Sequence, residues 1–276
     1  MTYILNGIKV KYISSLKNIE LKELQLLLKK GKERKKSCLF IIEGERELQK
    51  AIKANYIIRK IYIEEGSYTY LKEIIKEDPL IPIVSIKREV FKKITRRSGS
   101  EKILALVKSK THNLDDLKLS DNSLFLVIEA PEKPGNIGAI FRTAVASKMD
   151  AIIVANPKTD FYNPNSIRSS LGSIFLIQTA LASSKEIISF LNKNSFNIGA
   201  AVISKDSINY DSFDYKTPCA IVLGAENSGL ENCWLELNNQ KLIIPMAEEI
   251  DSLNLSVSAG ILMYEARRKN IAFENN

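Results

Sequence analysis

Hydrophobic and polar positions change their period along the chain, and these changes predict two successive α/β segments. In the first segment, residues 20–36 begin as a leucine-rich helical pattern and end in a basic cluster around Gly31, and short apolar runs then alternate with helical patterns as far as Val107. The predicted strands are 38–42, 56–63, 80–86 and 102–107, and the predicted helices are 45–54, 68–76 and 89–94. Short strands alternating with short helices are typical of a small α/β domain, which we assign to residues 1–110.

A polar stretch without hydrophobic periodicity separates the two segments, and we interpret residues 111–122 as a linker. A second alternation runs from Leu124, within a predicted domain of residues 123–276. Its predicted strands are 124–128, 151–154, 174–178, 198–203, 220–223 and 241–244, and its predicted helices are one from about residue 137, 185–192, 230–237 and 254–269. Because the strands are continuously apolar, we expect a parallel sheet covered on both faces.

The composition is that of an ordinary globular protein. The chain has 276 residues, of which 45% are hydrophobic and 26% are charged. It contains no apolar run of 18 residues and does not begin with a signal-peptide pattern, so we expect a cytoplasmic protein without a membrane segment. Three cysteines without CxxC spacing and a single histidine, His112 in the linker, give no reason to expect a disulfide framework or a metal site.

Positive charge is concentrated in the first segment. Residues 1–110 contain 26 basic and 13 acidic side chains, an excess of +13, whereas residues 111–276 contain 14 and 19, an excess of −5. Clustered lysines and arginines release counterions when they meet phosphates, so this asymmetry indicates a polyanionic partner such as a nucleic acid. A merely solubilising surface is the alternative. The basic loop that contains Arg96 and Arg97 is a candidate for phosphate contact.

Three stretches of the second segment are polar and rich in glycine where strands hand over to helices. They are PEKPGNIGAIFRTA at 131–144, IVLGAENSGL at 221–230, and IIPM at 243–246 followed by SLNLSVSAG at 252–260. Ligands of α/β sheets bind at the carboxyl ends of strands, so these stretches predict the functional site. Each also has a purely structural interpretation, namely a capped helix with a surface arginine, a charged turn, and a C-terminal helix with several capping groups.

Taken together, these stretches resemble the three motifs of the SpoU (TrmH-type) RNA ribose 2′-O-methyltransferases of the SPOUT superfamily, in the same order. The resemblance covers about residues 123–270. The segments FIIEGERELQKAI and KILALV of the first domain resemble the substrate-binding domain that this family often carries.

The resemblance implies an α/β fold whose C-terminal parallel sheet is tied in a deep trefoil knot, and it implies a homodimer formed through the knotted domain. It also implies that S-adenosyl-L-methionine is the cofactor. Carried over by motif, the cofactor-binding residues are Leu223, Gly224, Ala225, Ile244, Pro245, Met246, Ser252, Leu253 and Leu255.

The implied reaction is attack of a ribose 2′-hydroxyl group on the sulfonium methyl group. The family pattern assigns the central role to Arg142, surrounded by Asn136, Glu226, Asn254 and Ser256. Arginine keeps its proton in proteins, so stabilisation of the forming alkoxide or binding of a phosphate is the alternative to a role as base. Arg168 matches a further family segment and is a candidate RNA contact.

The separate basic domain favours a large folded RNA, so we expect ribosomal RNA as the substrate, with transfer RNA second. Two alternatives belong to other functional classes. One is a ribosome-associated protein that binds RNA without turnover, against which the intact motif residues argue. The other is a nicotinamide-dependent dehydrogenase, which the absence of a GxGxxG sequence disfavours.

Overall fold

The computed structural model describes residues 2–5, 8–71, 74, 80–95, 101–237 and 240–270, and it divides into two compact units. The first unit comprises Met1–Lys110 together with Tyr162–Leu176, and the second comprises Thr111–Phe161 and Ile177–Asn276. The residues predicted to form the linker belong to the second unit, where Leu117 is buried in the core. In the described part of the chain, every helix is too short or too polar to cross a membrane.

The strands among the described residues are β1 (Thr2–Leu5), β2 (Ile8–Ile13), β3 (Leu39–Glu43), β4 (Ile58–Glu64), β5 (Ile83–Ile86), β6 (Ile103–Lys108), β7 (Leu124–Glu129), β8 (Ala151–Ala155), β9 (Gln178–Ala182), β10 (Asn197–Ala201), β11 (Ile208–Asn209), β12 (Cys219–Leu223) and β13 (Gln240–Ile243). The helices are α1 (Ile19–Lys29), α2 (Gly31–Ser37), α3 (Glu45–Lys53), α4 (Arg88–Ile94), α5 (Pro134–Ala146), α6 (Pro164–Ser169), α7 (Ser184–Lys193), α8 (Asn232–Leu235) and α9 (Leu255–Asn270). Short 3-10 helices lie at Tyr68–Tyr70, Leu114–Asp116, Ser173–Phe175 and Tyr210–Ser212.

The first unit is built on a mixed sheet with the strand order β1-β2-β5-β4-β6-β3. Leucines of α1 and the aromatic ring of Phe91 in α4 are buried against this sheet. The segment Tyr162–Leu176 packs into the same unit. The ring of Tyr162 stacks on Phe40 with 4.1 Å between the ring centroids, and Phe175 lies 5.0 Å from Tyr56. This segment therefore contributes to the core of the first unit although its neighbours in sequence belong to the second.

The second unit is built on a seven-stranded sheet with the order β11-β13-β10-β12-β7-β8-β9, in which every described pairing is parallel. All residues of β7, β8 and β12 are buried, as their continuous apolar sequences predict. Phe125, Val127 and Val222 face a core completed by α7 and Trp234 of α8, while α5 and α9 pack against each other beside β7 and β12. The prediction of an α/β fold with a parallel C-terminal sheet is confirmed.

Several predicted boundaries differ from the structure. The apolar run 174–178 is not a strand, because Ile174 and Phe175 lie in a 3-10 helix buried in the first unit and β9 begins only at Gln178. The leucine-rich pattern that begins at residue 20 lies in α1, and the basic cluster that follows continues into a second helix, α2, which begins at Gly31. The predicted helix 230–237 shortens to α8, and β1 and β2 were not predicted.

A buried carboxylate ties together the loops at the carboxyl end of the second sheet. Glu129, at the end of β7, is 1% exposed. It accepts hydrogen bonds from the amide of Asn156 at 2.8 Å, the hydroxyl of Ser184 at 2.5 Å and the indole N–H of Trp234 at 2.7 Å. The same amide of Asn156 also reaches Glu231 at 3.0 Å. Glu129 thereby connects the ends of β7 and β8 with the first turn of α7 and with α8.

Replacing Glu129 with alanine is expected to destabilise the protein by about 3 kcal/mol or more, because the buried hydroxyl of Ser184 and the buried indole N–H of Trp234 lose their acceptor, together with the half-buried amide of Asn156. Glu129→Gln, which keeps one carbonyl acceptor, should cost less. The free energy of unfolding in urea measures both effects, and Glu248→Ala, at an exposed position, is the matched control. Equal stability of the Glu129→Ala and Glu248→Ala proteins would contradict the proposed importance of this network.

Candidate active site

A cavity of about 400 Å³ lies at the carboxyl ends of β10, β12 and β13. These strand ends are neighbours in the sheet, since Ala201 is paired with both Leu223 and Leu242. The lining residues are Ala201, Val202, Ile203, Leu223, Gly224, Ala225, Glu226, Ser228, Gly229, Leu230, Leu235, Leu242, Ile243, Ile244, Met246, Ser252, Leu253, Leu255 and Ser258. The walls are mainly apolar and carry a few hydroxyl groups and one carboxylate, a composition typical of small-molecule sites.

The loop that follows β12 folds back on itself and forms one wall of the cavity. Ala225 and Gly229 exchange two backbone hydrogen bonds, of 2.9 and 3.0 Å, and Gly229 adopts a φ of +66° that favours glycine. Gly224 lies directly under this turn, and a Cβ atom built on it would come within 2.6 Å of the backbone nitrogen of Leu230. The sequence Gly-Ala-Glu-Asn-Ser-Gly therefore specifies a tight turn that leaves no space for a side chain at its first position.

The structure brings the predicted cofactor-binding residues together with one exception. Eight of the nine line the cavity, namely Leu223, Gly224, Ala225, Ile244, Met246, Ser252, Leu253 and Leu255. Pro245 is exposed and does not belong to the lining.

Four of the five predicted catalytic residues form one chain of hydrogen bonds at the edge of the cavity. The amide of Asn136 donates to the carboxylate of Glu226, which lines the cavity. Asn254 donates to the side-chain oxygen of Asn136 at 3.4 Å, and the hydroxyl of Ser256 donates to the side-chain oxygen of Asn254 at 2.7 Å. Asn136 lies in the first turn of α5, which begins at Pro134, and its side chain is turned toward Glu226.

The predicted arginines lie outside this chain. Arg142 is exposed on α5 and makes no hydrogen bond or ion pair with the described residues. Arg168 is exposed on α6, in the segment that packs with the first unit. Arg96 and Arg97 lie outside the residues that the structure describes.

Two groups that lie in or next to the three motifs have shifted pKa values, one because of burial and the other because of an ion pair. Burial raises the pKa of the Cys219 thiol in β12 to about 12, so this cysteine stays protonated and is not a nucleophile at neutral pH. A hydrogen bond from Lys158, together with the charge of that lysine, lowers the pKa of the exposed Glu132 carboxyl.

Sequence reasoning missed Lys133 and part of the cavity wall. The ammonium group of Lys133 forms an ion pair with the second carboxylate oxygen of Glu226, so both oxygens of this carboxylate have partners. The position of Lys133 directly before Pro134-Gly135-Asn136 was the available signal. No such signal exists for Ala201 and Val202, because only the sheet order places the end of β10 between β12 and β13.

Comparison with known proteins identifies this arrangement. A sequence model described as the SpoU rRNA Methylase family matches residues 123–264, which contain the entire cavity and the hydrogen-bonded chain. The chain belongs to the SpoU rRNA methylase family. A second model, the MRM3-like substrate binding domain, matches residues 18–105.

Relatives match the SpoU protein over nearly its whole length. The 23S rRNA (guanosine(2553)-2′-O)-methyltransferase RlmP of Bacillus subtilis is 27% identical, over 94% of this chain and 100% of that protein. The 23S rRNA (uridine(2479)-2′-O)-methyltransferase of Streptomyces viridochromogenes is 25% identical, over 93% and 92%. The crystal structure of an rRNA methyltransferase from Sinorhizobium meliloti with bound AdoMet superposes with a TM-score of 0.88 at 25% identity, covering 95% of this chain and 99% of that one.

These matches confirm the resemblance inferred from the three motifs. They also agree with the expectation from charge that the first segment meets a polyanionic partner, because this basic segment matches a substrate-binding domain. The roles of individual residues stay predictions.

Proposed function

We propose that this SpoU protein transfers a methyl group from S-adenosyl-L-methionine to a ribose 2′-hydroxyl group of 23S ribosomal RNA. The single observation that carries the proposal is the joining of the three motifs into one site. Most residues that line the cavity come from two of them, and Asn136 of the first motif is hydrogen-bonded to Glu226 of the second and Asn254 of the third. The names of the relatives that match across both domains support ribosomal RNA as the substrate.

The cavity suits S-adenosylmethionine in size and in chemistry. Its volume of about 400 Å³ lies within the range of roughly 300–1,000 Å³ that is usual for small-molecule pockets. Leu223, Ile244 and Leu253 offer apolar contact for the adenine ring, and the hydroxyl groups of Ser228 and Ser252 offer hydrogen bonds. The carboxylate of Glu226 favours a positively charged ligand. When bound, S-adenosylmethionine supplies an electrophilic methyl group on a sulfonium sulfur.

Arg142 acts in this proposal by stabilising negative charge. A guanidinium group carries five hydrogen-bond donors and no acceptor, so it is suited to hold the ribose oxygen as its proton leaves, or the adjacent phosphate. Its exposure and its lack of a protein partner in the described residues leave all of these donors available to RNA. The chain of Asn136, Glu226, Asn254 and Ser256 fixes the edge of the cavity where the two substrates meet.

A second copy of the chain is expected to complete the site. Val257 and Tyr264 of α9 are 50% and 44% exposed, and with Ile261 they form one apolar stripe at helical spacing. Gly260, on the same helix, lies against Thr143, the neighbour of Arg142 on α5. A homodimer that covers this stripe would bring the partner subunit close to Arg142.

The proposal includes two further properties. The C-terminal parallel sheet is tied in a deep trefoil knot. The protein is located in the cytoplasm, because ribosomal RNA is made and assembled there in bacteria such as those of the relatives.

The first domain, residues 1–110, is proposed to bind the RNA through Arg96 and Arg97. Arg168, in the segment Tyr162–Leu176 that packs with the first unit, is proposed as a further contact. The family match to a substrate-binding domain and the excess of 13 positive charges support this assignment. The second domain, residues 123–276, carries the chemistry.

Transfer of labelled methyl groups from S-adenosylmethionine to unmodified 23S ribosomal RNA and to unmodified transfer RNA tests the proposal. We expect label in the 23S RNA at one position that resists alkaline cleavage, because a 2′-O-methyl group blocks attack on the adjacent phosphodiester. Label in transfer RNA alone would overturn the choice of substrate. Tight binding of S-adenosylmethionine and RNA without any transfer would instead favour a non-catalytic RNA-binding protein.

Replacing Lys133 with methionine is expected to lower the single-turnover rate of methyl transfer about three- to tenfold. The loss of this partly exposed ion pair, worth about 1 kcal/mol, leaves one oxygen of Glu226 without its partner, and the carboxylate is then held less firmly. Lys158→Met, which removes an exposed ion pair with Glu132 outside the hydrogen-bonded chain, is the control. Single-turnover rates at low and high salt measure the effect, and equal rates for the two variants would show that Lys133 does not position Glu226.

A further inference from the structure

Five exposed lysines cluster where α1 meets α2 in the first unit. Lys29 and Lys30 end α1 and form the corner, and Lys32, Lys35 and Lys36 follow on α2. None of the five forms an ion pair with the described part of the chain, and only Glu33 adds an opposite charge within the span. We name these five residues the lysine corner.

The three lysines of α2 share one face of that helix. At 100° per residue, positions 32, 35 and 36 fall within an arc of about 100°, whereas position 34 points roughly the opposite way. Arg34 is accordingly buried, with 3% of its surface exposed, and donates a hydrogen bond to the backbone carbonyl of Leu27 in the last turn of α1. One basic residue of α2 thus fixes the helix against α1, and the other three are presented to solvent.

A sixth exposed lysine, Lys108 of β6, lies next to the strand that follows α2. The chain enters β3 at Leu39, three residues after Lys36, and β3 is the edge strand of its sheet. Leu39 is paired with Lys108 of β6, which is exposed, and the backbone N–H of Ser109 donates to Cys38 at 2.9 Å. The backbone that leaves α2 is therefore held by regular hydrogen bonds to β6 and Ser109.

We propose that the lysine corner is a binding surface for the phosphate backbone of the substrate RNA. A seven-residue helix is about 10 Å long, so its three lysines can meet phosphates of only a few adjacent nucleotides. Lysine ammonium groups act as point charges without a fixed pattern of donors, so this surface contributes affinity and orientation while reading no base sequence. The inference rests on the proposed function, because it assumes that the first domain binds RNA. It adds the surface through which this domain binds.

The full-length triple variant Lys32→Gln, Lys35→Gln, Lys36→Gln tests the surface. The dissociation constant for an unmodified 23S ribosomal RNA transcript is measured between 50 and 200 mM KCl, beside a control that removes three exposed lysines elsewhere in the same unit, Lys17→Gln, Lys22→Gln, Lys53→Gln. If all three corner lysines contact phosphates, the slope of log affinity against log salt should become shallower by roughly 2, while the control slope changes much less. Binding of S-adenosylmethionine and the thermal midpoint should match the wild type in both variants.

Equal slopes for the wild type and the corner variant would overturn the inference. An equal decrease of the slope in the corner variant and in the control would also overturn it, because the effect would then come from net charge. The two proposals fail differently. A wild-type protein that binds the transcript through the corner but transfers no methyl group contradicts only the proposed function, whereas methyl transfer that is indifferent to the corner contradicts only this surface.

Discussion

Replacement of Arg142 by alanine is expected to lower the single-turnover rate of methyl transfer by about 100- to 1,000-fold, the usual effect of removing a donor that stabilises developing negative charge. The affinity for S-adenosylmethionine should stay within about twofold of the wild type, because Arg142 does not line the cavity. The rate is measured with saturating RNA and cofactor, and the affinity by calorimetry.

The conservative variant Arg142→Lys separates the two roles considered for this residue. A lysine keeps the positive charge but loses the planar fork of donors, so we expect an intermediate rate if Arg142 stabilises charge. Wild-type turnover by Arg142→Ala would remove this residue from the mechanism, and a matching loss of cofactor affinity would place it in the cofactor site instead.

Replacement of Gly224 by alanine is expected to weaken S-adenosylmethionine binding by about 5- to 150-fold, which corresponds to roughly 1–3 kcal/mol of steric strain. The new methyl group would meet the backbone of Gly229 and Leu230 rather than a movable side chain. Relief of this contact requires the turn to open, which disrupts the two hydrogen bonds between Ala225 and Gly229 and displaces one wall of the cavity.

The control for this variant is Gly135→Ala. A Cβ atom at Gly135 meets nothing within 4 Å, and the residue lies in the first turn of α5, where alanine is readily accommodated. Calorimetric titration with S-adenosylmethionine and thermal unfolding of both proteins distinguish a local steric effect from a general cost of losing glycine. Equal affinities in the two variants would mean that the turn after β12 is not part of the cofactor site.

The hydrophobic pattern predicted the second sheet well, because strands buried on both faces leave continuous apolar runs such as 124–128 and 220–223. The pattern failed for the apolar run 174–178, which was predicted to be a strand. Ile174 and Phe175 are as apolar as a strand, but they are buried in the core of the first unit. It also overlooked β2, in which lysines alternate with apolar residues.

The site itself was predictable only in part. The tight turn after β12 and the polar start of α9 could be predicted from the local sequence. The side-chain hydrogen bonds that connect them through Asn136 could not. Asn136 lies 90 residues before Glu226 and 118 before Asn254, and no periodicity indicates that these side chains meet. The family resemblance supplied that link, whereas the ion pair of Lys133 with Glu226 is visible only in the structure.

The segment Tyr162–Leu176 limits how this protein can be divided or recombined. The chain passes from one unit to the other after Lys110, again after Phe161 and once more after Leu176. A fragment cut at the linker would separate Tyr162 and Phe175 from the aromatic rings of Phe40 and Tyr56, and it would remove the ammonium group of Lys50 from the carbonyl of Leu171. A chimera that exchanges substrate-binding domains between relatives must therefore transfer two segments, the N-terminal 110 residues and a short insert from within the catalytic domain.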